Sequence, residues 1–215
     1  RRSSDLYETA ILGILASSSA WATRAREAKE AAGDKPAICF GARHVHPAVA
    51  PVMERAAVIG GADGASCILG AKLAELEPTG TVPHALFLIV GDRREGAEGC
   101  DGFMAASARR SMLVDAFRDE VEESLRLAEA MGGRLESVRL DTPGERGGVT
   151  PGLVTELRAK LDLAGHKHVR IFVSGGLDPE KIRVLSEAGA DAFGVGSYIS
   201  SAQPIDMTMD LKEID

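Results

Sequence analysis

Val169-Arg170-Ile171-Phe172-Val173-Ser174-Gly175-Gly176 and, one helix-length segment later, Ala192-Phe193-Gly194-Val195-Gly196-Ser197 decide the fold. Each is a short apolar run that stops at glycine and small polar residues, the pattern of a buried strand leaving a sheet. The stretch between them, 179–188, reads as a helix with Pro179 at its first turn. Strand, helix and strand in that order form a crossover unit, so the two strands lie parallel.

Outward from this unit the alternation continues in both directions. Strands are expected at 37–40, 58–59, 85–90, 112–114 and 135–140, and helices at 6–32, 47–57, 66–75, 117–131 and 150–163, with Thr150 as N-cap. The run 85–90, bounded by Pro83 and Gly91, is the clearest strand by apolar content. The polar, glycine-rich stretch 91–102 reads as a mobile loop. About seven strands, most separated by a helix, imply an α/β chain with a parallel sheet. A full eight-fold barrel takes ~250 residues, and 215 are present. The expected architecture is therefore a shortened or irregular parallel β/α barrel over 36–200. A helical lead-in covers 1–35 and a C-terminal tail 201–215.

Composition narrows the class further. Twenty-five Lys and Arg against 32 Asp and Glu leave a net charge of −7, so no basic excess exists to neutralise nucleic acid or an anionic membrane. Three cysteines without a C-x-x-C pair suggest neither a disulfide framework nor a zinc site. No apolar run is long enough to span a bilayer, and no secretory signal opens the chain, which points to the cytoplasm. The start at Arg1, without Met, reads as a fragment or a processed end.

In parallel α/β folds ligands bind at the carboxyl ends of the strands, and those ends are polar here. The turns Ser174-Gly175-Gly176 and Gly194-Val195-Gly196 end neighbouring strands. Glycine lets backbone N–H groups approach an anion, so the pair reads as a phosphate clamp, with plain tight turns as the alternative. Arg43 and Arg139 offer planar forks for phosphate or carboxylate, or else surface ion pairs. Asp63 and Asp141 suit ribose hydroxyls or Mg²⁺, or cap the next turn. His44 and His46 share one face of an extended segment, but no third ligand is near in sequence. His166 and His168 read as solvated, and composition alone leaves His84 undecided.

Several longer stretches carry a resemblance: YETAILG (7–13), CFGARHVHPAVAPVMERAAVIGGADGAS (39–66), EPTGTVPHALFLIVGD (77–92), LVDAFRDE (113–120), VRLDTPGERGG (138–148), FVSGGLD (172–178) and FGVGSYI (193–199). In order and spacing the sequence resembles nicotinate phosphoribosyltransferase, in its shorter bacterial and archaeal branch. The resemblance implies a type II phosphoribosyltransferase barrel joining nicotinate to phosphoribosyl pyrophosphate, with ATP as co-substrate and Mg²⁺ as cofactor. It implies Phe40 stacking on the pyridine ring and Arg43 on phosphate. Arg139 and Asp141 would contact the phosphoribosyl group, and Ser174, Gly175, Gly176, Gly194 and Gly196 its 5′-phosphate. His84 would be the histidine phosphorylated by ATP, with Asp63 and Asp115 as acidic groups of the pocket. It also implies a homo-oligomer, a dimer or larger, whose site is shared between chains. Relative to that family, an α/β domain ahead of the barrel is missing, and 93–110 departs from its pattern. Two other readings are a quinolinate phosphoribosyltransferase-like enzyme and an inactive barrel that serves as a binding module.

Overall fold

A computed structural model describes residues 2–82, 84–90, 99, 110–116 and 118–209. The chain opens with the long helix α1 (Arg2–Ala32) and continues β1 (Ala37–Cys39), α2 (Ala50–Ile59), β2 (Gly64–Ala65), α3 (Ile68–Leu73) and α4 (His84–Val90). Then come β3 (Ser111–Leu113), α5 (Glu120–Met131), β4 (Ser137–Leu140), α6 (Pro151–Leu163), β5 (Arg170–Ser174), α7 (Pro179–Glu187), β6 (Ala192–Val195) and α8 (Ser197–Ser200). The six strands form one parallel sheet in the order β2-β1-β6-β5-β4-β3, an open, shortened β/α barrel.

Side-chain alternation along each strand separates two environments. Cys39, Met112, Val138, Leu140, Ile171, Val173, Phe193 and Val195 point outward into one buried core. They meet Leu127 of α5, Leu157 and Leu161 of α6, and Ile182 and Leu185 of α7 there. The alternate residues face inward, where Ile38, Phe172 and Ala192 form a small separate cluster with Phe40 packed against it. Ser111 and Ser137 share that face and bond to each other at 2.7 Å. Local signals fix the helix starts: Thr150 caps α6 through Leu153 N, Asp178 caps α7 through Lys181 N, and Asp119 caps α5 through Val121 N.

Two sequence expectations are corrected. Positions 58–59 are the last residues of α2, not a strand; the strand is Gly64-Ala65, paired with Ile38 and Cys39. Positions 85–90 form helix α4 rather than the clearest strand. A short apolar run carries no periodicity that separates strand from helix, and His84 through Val90 includes strong helix formers in Ala85, Leu86 and Leu88. Among the described residues the strands number six, within the six to seven expected.

Where a further strand was expected, an irregular segment spans the opening between the two edge strands. Thr79 N donates to Ala65 O of β2 at 2.9 Å, and Val82 N donates to Ser111 O of β3 at 3.2 Å. This segment runs in the direction of the strands, so it delivers His84 to their carboxyl-end mouth. The loop expected at 91–102 lies, apart from Gly99, outside the described residues.

The second half of α1 belongs to the same core through Ala25, Ala28 and Ala32. Its closest crossing is with the end of α2, where a Cβ built on Gly60 would lie 2.1 Å from the Ala22 carbonyl oxygen. Among the described residues no helix is long and apolar enough to cross a membrane. Because the obstacle at Gly60 is backbone, Gly60→Ala is expected to destabilise the chain by ~3 kcal/mol. Denaturant unfolding checks this, and an unchanged midpoint would show that α1 can shift freely.

Candidate active site

Two adjoining cavities open at the carboxyl ends of the strands, one of about 410 Å³ and one of about 730 Å³, within the range of small-ligand sites. Phe40, Arg43, His84, Arg139, Asp141, Ser174, Gly175, Gly176, Gly194 and Gly196 line the first. Arg43, His84, Asp141, Gly175 and Gly176 also line the second, where Asp115 joins them. The strand ends thus gather eleven of the twelve residues singled out in the sequence.

Arg139 is the centre of the first cavity. From β4 its Nε donates to Ser174 Oγ at 2.7 Å, Nη1 to Thr81 Oγ1 at 2.7 Å and Nη2 to Asp141 Oδ2 at 2.9 Å. Ser174 Oγ donates in turn to Asp141 Oδ1 at 2.7 Å. The Arg139–Asp141 pair is largely enclosed, with side chains 16% and 18% exposed. The Arg139 guanidinium carbon also lies 5.1 Å from the centroid of the Phe40 ring, within cation–π range. Phe40 packs at 5.6 Å from Phe172, and its ring passes over Gly194, where a Cβ would come within 2.6 Å of it. Gly194 is therefore fixed by the aromatic ring above it.

Gly175 and Gly176 adopt φ +97° and +60°, a backbone that disfavours any side chain. A Cβ at Gly176 would meet nothing within 4 Å, so the turn is open on that side. Arg43 sits on the one-turn 3₁₀ helix Ala42–His44, exposed, with no ion pair among the described residues. Of the two arginines, Arg43 is the one available to an incoming anion.

His84, first residue of α4, places Nε2 3.0 Å from Asp115 Oδ2. Asp115 follows β3 and is buried at 7% exposure, and its Oδ1 has no hydrogen-bond partner among the described residues. Below the second cavity, buried Glu120 accepts from Thr142 Oγ1 at 2.9 Å, and its Oε1 lies 3.3 Å from Arg146 Nη1. Arg146 also donates to Asp115 O at 3.2 Å, which ties the turn after β4 to the end of β3.

Asp63 is not brought to the site. It precedes β2 at the opposite end of the sheet, where Oδ2 accepts from Ala37 N at 2.8 Å and pairs with Lys29 Nζ at 3.0 Å. It ties the start of β1 to α1, which is neither the ligand role nor the cap of the next turn that its sequence offered. The histidines at 44 and 46 diverge: Nδ1 of His44 lies 3.2 Å from Ser200 Oγ, and Nδ1 of His46 accepts from Ala48 N.

Three contributors had gone unassigned in the sequence. Thr81 anchors Arg139 from the irregular segment, Lys181 lines the second cavity while donating to Gly176 O at 2.9 Å, and Glu54 supports the mouth from behind. Glu54 is fully buried on α2 and accepts from Ser66 Oγ at 2.6 Å and from Cys67 N at 2.5 Å. Glu54 stands in the sequence as an acid on a helix, and nothing in the helical pattern separates it from surface acids.

A family model for the quinolinate phosphoribosyl transferase C-terminal domain matches residues 21–210. A nicotinate phosphoribosyltransferase of Mycobacterium tuberculosis is 33% identical over 205 residues, covering 92% of this chain and 42% of the relative. One from Bacillus subtilis is 31% identical over 205 residues, covering 92% and 40%. The crystal structure of a nicotinate-nucleotide pyrophosphorylase from Pyrococcus furiosus superposes with a TM-score of 0.90 at 48% identity, covering 93% of this chain and 51% of that one. The chain spans about half the length of these relatives.

Burial pushes the Glu54 carboxyl above the ordinary carboxylate range, against the pull of the Ser66 and Cys67 donors. A carboxyl raised in the folded state contributes stability that is full below its unfolded pKa, ~4.3, and lost as pH rises through the folded value. The stability of wild type relative to Glu54→Gln is thus expected to decline with rising pH across that window. Urea unfolding over a pH series checks this, and a pH-independent difference would contradict it.

Proposed function

We propose that this chain, which belongs to the family of the quinolinate phosphoribosyl transferase C-terminal domain, is the phosphoribosyl-transferring barrel of an enzyme making nicotinate mononucleotide from nicotinate and phosphoribosyl pyrophosphate. One observation carries the reading most: an unpaired Arg43, a neutralised Arg139–Asp141 pair and two glycine turns face one cleft at the strand ends. That combination suits a substrate with a 5′-phosphate at one end, a pyrophosphate at the other and a ribose between.

The chemistry follows from charge. The bond between ribose C1′ and the pyrophosphate oxygen breaks, the electron pair leaves with pyrophosphate, and the pyridine nitrogen supplies the pair that forms the new C1′–N bond. Positive charge develops on the sugar and negative charge on the leaving group. Arg43 lies across both cavities to receive the latter, and Asp141 presents a carboxylate beside the former. Because Ser174 and Arg139 hold both Asp141 oxygens, that carboxylate needs no reorganisation as charge develops. Glycine backbone N–H groups at 175, 176, 194 and 196 would receive the 5′-phosphate, and Phe40 would stack the pyridine.

For Mg²⁺, the described residues hold no group of three or more side-chain ligands, which suits an ion held mainly by pyrophosphate oxygens. Asp115 Oδ1, buried and without a partner, is the carboxylate oxygen that fits. Bound there, the ion would neutralise leaving-group charge. ATP as co-substrate would act at His84: with Nε2–H donated to Asp115, Nδ1 keeps the lone pair that can take the γ-phosphoryl group and release ADP. A cytoplasmic dimer completes the proposal.

The quinolinate reading is favoured by the family model and by the likeness to the nicotinate-nucleotide pyrophosphorylase of Pyrococcus furiosus, and the nicotinate reading by the curated relatives. Among the described residues, Arg139 is neutralised by Asp141, which leaves Arg43 and Lys181 as the cations of the cleft, enough for phosphate and one carboxylate. Labelled nicotinate and labelled quinolinate, each supplied with phosphoribosyl pyrophosphate and Mg²⁺, separate the readings. Nicotinate mononucleotide without carbon dioxide release is expected from nicotinate, and product from quinolinate alone would overturn the assignment. With and without ATP added to the same mixture, His84→Ala is expected to retain slow turnover of nicotinate while losing stimulation by ATP and acid-labile phosphate on the protein. Full ATP stimulation in the variant would remove His84 from that role.

A further inference from the structure

Helix α8 is four residues long and cannot hold its own conformation. It nevertheless fixes the chain that leaves β6, where Gly194, Gly196 and Ser197 face the cleft. Buried Ile199 roots it in the core, and the half-buried Tyr198 ring packs against the same core. Polar contacts hold it on the side away from the cleft. Tyr198 reaches α1, where its OH donates to Glu27 Oε2 at 2.5 Å and accepts from Arg24 Nη1 at 2.9 Å. Arg24 also pairs with Glu27 at 3.0 Å, and its guanidinium carbon lies 5.0 Å from the Tyr198 ring centroid. Each of the three side chains touches the other two.

We propose that Tyr198, through Glu27 and Arg24, is a positioning residue for the turn at the end of β6 that receives the 5′-phosphate of phosphoribosyl pyrophosphate; this rests on the function proposed above. Arg24 and Glu27 are 46% and 42% exposed, so solvent screens the pair and its share of global stability is small. What the cluster supplies is orientation. A backbone N–H tilted away from the phosphate loses its hydrogen bond even when the fold is intact. The hydrogen bond from Tyr198 holds the Glu27 carboxyl below the ordinary range, and burial, with Glu27 beside it, pushes the Tyr198 hydroxyl up. Both groups therefore keep one protonation state through neutral pH.

Tyr198→Phe removes the hydroxyl and keeps the ring, and Glu27→Gln weakens the same contact from the other side. Calorimetric titration of phosphoribosyl pyrophosphate into the full-length protein carrying each change reads the effect. Affinity is expected to fall about fivefold in Tyr198→Phe, the size of one hydrogen bond. The nicotinate KM and the melting temperature should move little. The double variant should lose no more than the larger single loss, because both changes remove one contact. Wild-type binding with unchanged affinity in both variants would overturn the positioning role alone. A parallel loss of melting temperature, kcat and both KM values would overturn it in favour of a structural role. Absence of binding by wild type would overturn the functional reading, and this inference with it.

Discussion

The bidentate grip of Arg139 on Ser174 and Asp141 is the interaction around which the mouth of the barrel is organised. It joins the end of β4 to the end of β5, and through Thr81 it ties both to the irregular segment that spans the open side of the sheet. An arginine fork is suited to this because it donates in several fixed directions in one plane. Enclosed charge of this kind is expensive unless every partner is met, and here each oxygen of Asp141 has a donor. The result is a rigid polar floor. Phe40 reaches the guanidinium from the end of β1, across the mouth from β4, so the apolar and charged parts of the site are fixed by one side chain.

That floor divides the labour among the cations. An arginine committed to a carboxylate shapes the pocket but has little charge left for a ligand, whereas Arg43 on its short 3₁₀ turn is free among the described residues. The two positions look alike in the sequence, since each sits at or next to a strand end and each could serve an anion. Their difference is one of partners, and partners are set by which strand ends become neighbours. Buried Glu54 extends the same logic behind the site, binding the start of α3 to α2 where no surface acid could.

Much of this was legible in the residues. Short apolar runs located β1, β5 and β6 where they stop at glycine and β4 where it stops at Asp141-Thr142-Pro143, and the capping residues Thr150 and Asp178 located the helices between β4, β5 and β6. The strand at 85–90 misled because Val, Ile and Leu in an unbroken run satisfy a buried helix as well as a buried strand. A strand there would put His84 at its start, the end of the barrel away from the ligand rim. The structure resolves the conflict: the strand-like element comes before the histidine, at 79–82, so the residue after it emerges at the mouth. Gly64 and Ala65 were hidden for the opposite reason, because a two-residue strand of small side chains has no pattern to read.

The sequence by itself determined the parallel α/β class, the open barrel and the set of polar strand ends, because these depend on local periodicity and on where apolar runs stop. The strand-end residues Phe40, Arg43, Asp115, Arg139, Asp141, Ser174, Gly175, Gly176, Gly194 and Gly196 border one rim, as strand ends in such a sheet do. Only tertiary structure decided that Asp63 faces the other rim, held by Ala37 N and Lys29, that Arg139 is neutralised while Arg43 is not, and that Tyr198 reaches Glu27 across 171 positions. Those outcomes depend on which distant residues end within hydrogen-bond reach. That distance is fixed by strand order and helix packing, which no window of the sequence contains.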